Sequence, residues 1–452
     1  MVEIKPLERL DTTVRIPGSK SYTQRAMVIA ALAEGESRLR DILIAEDTDL
    51  LAVALGALGA NIRMDGRDMI VAGTGGNIDP LSREIYLGNN GTALRLLAGI
   101  ASLGKGRTIL RGDGRLCERP MKPLLDALHD LGALSQTDGG LGFPPVTILG
   151  GGIRGGKTVL RDIESSQYVS SLLIAAPFAA GDVTLVLEGK IPSLPYVALT
   201  IETMREFGVR VIEEGLGRYV VPAGQRYRAR EYRIEGDVSS ASYFFAAALL
   251  KGRIRVENIN PQTRQGDIRF LDILERLGSR VQRGKSQITA AGGEMTPGEM
   301  TFDMGGMPDM VPTLAVLSAM RPGRTFIRNV AHLRLKESDR LAVLLKELGR
   351  TGIVVKELAD GLAITGGNPQ GSLIQTYNDH RIAMAFAVLG LAVPGMRISG
   401  EGCVGKSFPG FWDVLEGLYR NGTTSSGKGA VPMIRIASAT ENLGMAIKEG
   451  VA

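Results

Sequence analysis

The sequence predicts an α/β protein built from six repeated units shared between two domains, and three observations carry that prediction. Six segments of the 452-residue chain open on small or polar residues and run into an apolar, alanine-rich stretch of helical length. They begin at Gly18, Gly88, Ser165, Asp237, Asp309 and Asn378, with spacings of 70, 77, 72, 72 and 69 residues. Each is followed by an amphipathic stretch, and short alternating runs bounded by glycine lie between the two. A fixed period of this length is the signature of a repeated supersecondary unit.

Taken in order within a unit, the first helix is GSKSYTQRAMVIAAL, GNNGTALRLLAGIA, SSQYVSSLLIAAPFA, DVSSASYFFAAALL, DMVPTLAVLSAM or NDHRIAMAFAVLGLA. These segments are apolar almost all round and are expected in the interior. The second helices, from Thr48, Met121, Tyr196, Asp267, Asp339 and Phe411, carry charge on one face and are expected outside. Most end at glycine, which suits a helix C-terminus. RTILRG, GDVTLVLEG, GRIRVENIN and RTFIRNV alternate with period two and read as strands. The unit is therefore βαβα with extra strands, and three units per domain put a boundary near Gly236. NGTTSSGKG, residues 421–429, reads as a flexible linker, and 430–452 fit no seventh unit, so a peripheral tail is expected.

Composition narrows the function classes. Charged residues at 22% and apolar residues at 44% are ordinary globular values, which excludes wholesale disorder. A net charge of +5 on this length is too small to imply nucleic acid. The longest uncharged stretch, Ser165 to Gly181, is 17 residues and too polar for a membrane helix. Glu3, Lys5, Glu8 and Arg9 leave no apolar signal region, so a cytoplasmic protein is expected. Two cysteines, Cys117 and Cys403, build no disulfide framework, and no Cys/His cluster has metal-ligand spacing. Neither a metal nor another cofactor is expected.

The helix starts gather anion-binding chemistry, because free backbone N–H groups and the helix dipole attract negative charge. Lys20, Arg25, Arg95 and Arg381 lie at such starts, while Arg115, Arg119, Lys336, Arg340 and Lys406 lie in Gly-, Ser- or Pro-containing loops. One such cation alone is commonly surface decoration. Together they argue for a ligand with more than one phosphate or carboxylate. Candidates for proton transfer are Asp309, Glu337, Asp339, the Asp379–His380 pair and Lys20, whose pKa is expected to fall in a cationic pocket. His380 is open between a site role and a place beside a helix cap, Asp379, whereas His129 on an amphipathic helix reads as structural. GGIRGGKT, from Gly151, spells the phosphate-loop pattern, but TVLRDI after it alternates like a strand where that loop needs a helix. A kinase or NTPase reading is weakened accordingly.

Eight motifs in order, PGSKSYTQRA, LGNNGTALRLLA, ERPMKPLLDAL, SSQYVSSLLIAAP, PDMVPTLAV, LRLKESDRL, YNDHRIAMAFA and GKSFPGFWDVL, resemble the 5-enolpyruvylshikimate-3-phosphate synthases over about residues 4–420. The resemblance implies a two-domain inside-out α/β barrel, each domain holding three βαβαββ repeats around buried helices. Residues 20–236 would form one domain, and 1–19 with 237–420 the other. It further implies transfer of the enolpyruvyl group of phosphoenolpyruvate to the 5-hydroxyl of 3-phosphoshikimate by addition and elimination, without metal, in a monomer. Carried over by motif, Ser21, Arg25, Ser165, Ser166, Ser193, Tyr196 and Lys336 would hold 3-phosphoshikimate. Gly91, Arg119, Arg340, Arg381 and Lys406 would hold phosphoenolpyruvate, with Lys20 and Gln167 touching both. Asp309 would meet the acceptor as base for the 5-hydroxyl proton, and Glu337 and Lys20 would move protons at the methylene and the bridging phosphate. Glyphosate would occupy the phosphoenolpyruvate pocket.

Some positions depart from the family pattern. Asn90 and Leu96 replace Ala and Pro around Gly91, and His332 stands where many members carry Asn or Arg. A sister transferase acting on a UDP-aminosugar shares the fold but uses a reactive loop cysteine and lacks the arginine after PGSK. Cys117 lies only two residues before Arg119, a shorter spacing than that sister family uses.

Overall fold

The computed structural model describes residues 1–80, 84–215 and 217–421, so the expected tail at 422–452 lies outside the described residues. In chain order the units carry α1 (Lys20–Leu32) and α2 (Glu46–Ala57), then α3 (Gly91–Ala101), a one-turn α4 (Gly114–Cys117) and α5 (Lys122–Asp130). They continue with α6 (Gln167–Ala175) and α7 (Pro195–Glu206), α8 (Val238–Lys251) and α9 (Phe270–Arg276). The last two units hold α10 (Val311–Met320) with α11 (Arg340–Arg350), and α12 (His380–Gly390) with α13 (Phe411–Asn421). The fifth unit displays the whole pattern: strand Gly298–Asp303, α10, strand Gly323–Arg328, α11, then strands Val354–Leu358 and Gly361–Thr365.

The first helix of each unit is buried on nearly every face, as its lack of a polar side requires. In α1 every residue from Tyr22 to Leu32 is buried, and in α12 every residue is. The second helices keep a wet face: α5 buries Leu124, Leu125, Ala127 and Leu128 and exposes Lys122, Asp126 and His129. Among the described residues there are five four-stranded sheets and one of three strands. Each pairs two strands parallel and adds antiparallel neighbours, as Glu84–Tyr86, Arg107–Arg111, Val146–Leu149 and Leu134–Thr137 do. Strands such as Glu36–Arg40 alternate, with Ser37 and Leu39 inside. Helices within and sheets around them make the inside-out arrangement.

Two hydrophobic cores result. One gathers side chains between Tyr22 and Ile234, the other those of Val2–Ile16 together with Val238–Leu418. Between them the chain crosses twice, side by side. The Ser19 N–H donates to the Glu235 carbonyl at 2.7 Å and the Asp237 N–H to the Pro17 carbonyl at 2.9 Å, flanking a bridge between Gly18 and Gly236. A β-carbon on Gly18 would stand 2.1 Å from the Asp41 carbonyl oxygen, and one on Gly236 would stand 2.2 Å from that of Asn258. Both crossings therefore require glycine. Among the described residues no helix is long and apolar enough to cross a membrane.

Candidate active site

A cavity of about 60 Å³ lies where the two cores meet, and every site residue carried over by motif lines it except Arg340 and Lys406. Five helix starts converge there. They bring Lys20 and Ser21 from α1, Gly91 and Thr92 from α3, Ser165, Ser166 and Gln167 at α6, Asp309 before α10, and Arg381 from α12. Several helix N-termini thus converge on one small volume, an arrangement that favours an anion. A larger space of about 820 Å³ opens at the double crossing, lined by Gly18, Glu235 and Phe408 among others. It gathers no comparable set of buried cations, and Arg233 there is already paired with Asp41 at 3.1 Å.

Among the described residues, two guanidiniums in the cavity have no carboxylate partner. Arg25 is 1% exposed and donates only to neutral oxygens: Thr200 Oγ1 at 2.7 Å, the Ser21 carbonyl at 3.1 Å and Ser170 Oγ at 3.2 Å. Burial pulls its pKa down to about 10. Arg119 is buried with Nε and Nη1 unpartnered, and burial together with Arg95 pulls it down to about 10 as well. Lys336 is pulled down to about 8 by burial; Asp309 opposes the shift and Arg340 adds to it. Holding cations dry without counter-ions costs several kcal/mol each in effective desolvation, so the site is built to receive anions.

Opposite them stands a dense set of ion pairs. Arg340 donates to Asp309, Glu337 and Asp379, each at 2.8 Å, and Arg381 Nη2 reaches the other Asp309 oxygen at 2.8 Å. Burial pushes the Asp309 pKa up, but Arg381, Lys336 and Arg340 outweigh it and hold the carboxyl far below its usual value. Glu337 is likewise depressed, with Arg340 and Arg119 overcoming burial. Arg340 and Lys406 sit one layer behind the lining, and both reach it through carboxylates.

The structure corrects the surroundings expected for Lys20. Its ammonium is not in a purely cationic pocket: Nζ donates to Asp47 Oδ2 at 3.1 Å, and Lys406 Nζ donates to the other oxygen, Oδ1, at 2.8 Å. Asp47 lines the cavity and was missed, because in EDTDLLAV it reads as an ordinary first-turn acid of an amphipathic helix. Asp339 is also corrected. It caps α11 by accepting from the Ala342 N–H at 3.1 Å, pairs with Arg334, and does not line the cavity. Asp379 caps α12 by accepting from the Arg381 N–H at 3.0 Å, and His380 beside it is buried with neither ring nitrogen hydrogen-bonded among the described residues, its Nδ1 3.9 Å from Asp379 Oδ1.

His129 binds Ser135 on the surface, as a structural histidine would. His332 is pushed down to about 3 by burial and Lys336, and its Nε2 has no partner. Asn90 caps α3 through the Ala93 N–H at 2.9 Å and donates to the Asp47 carbonyl at 2.7 Å. Arg95 Nη1 donates to Gln167 Oε1 at 2.7 Å and so orients that amide. Arg115 joins the two halves by donating to the Lys336 and Arg334 carbonyls at 3.0 and 2.7 Å. Lys157 sits exposed in strand Gly156–Arg161 with no helix until α6, so the phosphate-loop spelling has no phosphate-loop structure. Cys117 does not line the cavity; its Sγ lies 3.8 Å from the Gly112 carbonyl.

Repeated βαβα units around two cores, with helix N-termini and unpaired cations facing a shared cavity, define the enolpyruvyl transferase class. The sequence model of EPSP synthase (3-phosphoshikimate 1-carboxyvinyltransferase) matches residues 4–415. A 3-phosphoshikimate 1-carboxyvinyltransferase of Syntrophobacter fumaroxidans is 43% identical over 92% of this chain and 99% of its own. One from Methanothermobacter thermautotrophicus is 45% identical over 89% of this chain and 94% of its own. The solved EPSP synthase of Acinetobacter baumannii superposes with a TM-score of 0.77 at 28% identity, covering 93% of this chain and 98% of that one. The chain belongs to the EPSP synthase family.

Proposed function

We propose that this cavity is where the chain transfers the enolpyruvyl group of phosphoenolpyruvate to the 5-hydroxyl of 3-phosphoshikimate, releasing phosphate. The reaction is that of the family, and the observation that carries the assignment to this cavity is the pair of buried guanidiniums, Arg25 and Arg119, with no anionic partner. Arg25 with Ser21, Ser165, Ser166, Ser193, Tyr196 and Lys336 takes 3-phosphoshikimate. Arg119, Arg340, Arg381, Lys406 and the backbone at Gly91 take phosphoenolpyruvate, while Lys20 and Gln167 meet both.

In the addition step the acceptor oxygen bonds to C2 of phosphoenolpyruvate, its proton passes to Asp309, and C3 gains a proton from Glu337 or Lys20. In the elimination step C3 returns a proton and the C2–O bond to phosphate breaks, with the departing oxygen neutralised by the surrounding cations. Asp309 is a poor base while Arg340 and Arg381 hold both its oxygens. A substrate carboxylate that draws those guanidiniums away raises its basicity at the moment the acceptor is in place.

About 60 Å³ holds only a few waters, so the two halves part to admit substrates and close over them. The two separate cores support residues 20–236 as one moving domain and 1–19 with 237–420 as the other. We read the working unit as a monomer acting on small molecules, phosphoenolpyruvate and 3-phosphoshikimate, in the cytoplasm. Phosphate release measured with phosphoenolpyruvate plus either 3-phosphoshikimate or a UDP-aminosugar tests the reading. Turnover with the aminosugar alone, or with neither acceptor, would overturn it.

A further inference from the structure

We propose that Asp47 is a positioning residue of the transfer reaction: its carboxylate aims the ammonium groups of Lys20 and Lys406, one from each side of the cavity, at phosphoenolpyruvate. The inference rests on the reading above, which gives both lysines to that substrate. Asp47 is 2% exposed, and each of its oxygens takes one lysine, at 3.1 and 2.8 Å. A lysine is a flexible four-carbon stem with three rotatable donors, so its direction has to come from a fixed acceptor. Lys406 spends a second donor on the Asn89 carbonyl at 3.1 Å, which leaves one N–H to face a ligand.

The acceptor is itself fixed. Asp47 lies in the first turn of α2, and its own carbonyl receives the Asn90 side-chain amide at 2.7 Å. Asn90 at the same time caps α3, whose first residue is Gly91. The starts of α1, α2 and α3 are thus tied to one residue, α1 through the Asp47 carboxylate and α3 through its main-chain carbonyl, and Lys406 arrives at the carboxylate from the other core's side of the chain. Lys406 is buried among these groups; burial pulls its pKa down, and Asp47, with Glu337 next, more than restores it. The ammonium is therefore charged when it meets the substrate.

A plain helix-dipole acid would explain the position of Asp47 in α2 but not the lysine on each oxygen. Because Lys406 and Asp47 belong to different halves, the bracket is complete only when the halves are together. Substrate closure and lysine placement are then one event.

The test is steady-state phosphate release by the full chain, first as wild type and then as Asp47→Asn, Lys406→Ala and the double variant. The expected result for Asp47→Asn is a fall in kcat/KM for phosphoenolpyruvate of about 30-fold, in line with a lost charge-assisted hydrogen bond, while binding of 3-phosphoshikimate alone changes by less than about threefold. With Lys406 already gone, Asp47→Asn should cost clearly less than about 30-fold, because only the aim of Lys20 is left to lose and coupled residues are not additive. Additive losses overturn the proposal. So does an equal loss for both substrates accompanied by a lower melting temperature, which is what a purely structural aspartate would give. If Asp47→Asn is too unstable to assay, Asp47→Glu carries the test: the charge stays, the bracket moves by one methylene, and wild-type kinetics there overturn the proposal. A wild type without phosphate release would overturn the functional reading and this inference with it; an active wild type matched by Asp47→Asn overturns this inference alone.

Discussion

The guanidinium of Arg119 occupies the space that a side chain on Gly91 would need: its Cζ and Nη1 lie 2.6 Å from the point where a β-carbon would stand. Glycine at the start of α3 therefore sets where a buried, unpartnered cation can sit. Gly91→Ala should fold, because Arg119 is the end of a flexible side chain and can shift. It should also raise KM for phosphoenolpyruvate, through the displaced guanidinium. Glyphosate, longer than the substrate, should lose more: overpacking by one methyl costs about 1–3 kcal/mol, roughly a 5- to 100-fold rise in its inhibition constant. Competitive inhibition kinetics on wild type and variant check this. An equal shift in both constants would assign Gly91 to Arg119 placement alone, with no part in discriminating the inhibitor.

Arg25 binds only neutral oxygens, so the anion it awaits should depend on it strongly. Replacing it with alanine removes a charge-assisted contact of ~2–3 kcal/mol, and KM for 3-phosphoshikimate should rise tenfold or more. The KM for phosphoenolpyruvate should move far less. An unchanged acceptor KM would remove Arg25 from the site.

Much of this was legible because it is written in local pattern. A helix without a polar face, as in NDHRIAMAFAVLGLA, belongs in the interior, and glycine-bounded alternation reads as strand, so the repeat and its buried first helices follow from pattern, while the inside-out barrel came with the family resemblance. The cations of the cavity were legible too, since Lys and Arg beside Gly, Ser and Pro at helix starts are unusual. What was not legible is pairing across the fold. Asp47 and Lys406 are 359 residues apart, and nothing near either announces the other. Asp339 and Glu337 look alike in KESDR, yet one caps a helix and the other faces the cavity, a difference of two residues in the segment that leads into α11. Asn90 reads as a replaced alanine until the structure gives it both a helix to cap and a carbonyl to hold.

Lys336 carries a pH dependence. Its pKa, pulled down to about 8 chiefly by burial, means the empty site loses this positive charge as pH rises from 7 to 9. An anionic acceptor must then bind with uptake of a proton. The dissociation constant of 3-phosphoshikimate should accordingly weaken across that range, by up to about tenfold per pH unit above 8. Lys336→Arg, always charged, should give a flatter profile. Titration calorimetry in buffers of different ionisation enthalpy would detect the proton; no uptake at pH 8.5 contradicts the argument.

Cys117 separates this chain from a cysteine-dependent transferase. It is half-buried and off the cavity lining, with its Sγ 3.8 Å from the Gly112 carbonyl. Cys117→Ser should therefore turn over at close to the wild-type rate. Loss of activity, together with covalent labelling by an epoxide mimic of phosphoenolpyruvate, would revive the aminosugar transferase.

Asp267 stores a penalty at neutral pH. It is 1% exposed; one oxygen accepts from Ser239 and, at 3.3 Å, from the Tyr196 hydroxyl, while Oδ1 has no partner. Burial raises its pKa to about 6, with Asp309 adding to the rise and Arg381 and Ser239 opposing it. A carboxyl raised above its unfolded value of about 3.9 favours the fold below that pH and gives the advantage up as pH climbs through 6. By pH 8 the charged, half-satisfied carboxylate costs the native state on the order of 2 kcal/mol. Asparagine keeps the shape, cannot ionise, and can still accept from Ser239 or Tyr196. Asp267→Asn should therefore melt a few degrees higher than wild type at pH 8, with the difference shrinking towards pH 5. Thermal unfolding at pH 5, 6.5 and 8 measures it. A variant less stable than wild type at pH 8 would mean that the charged form is paid back by Arg381, and the sign of the argument would be wrong.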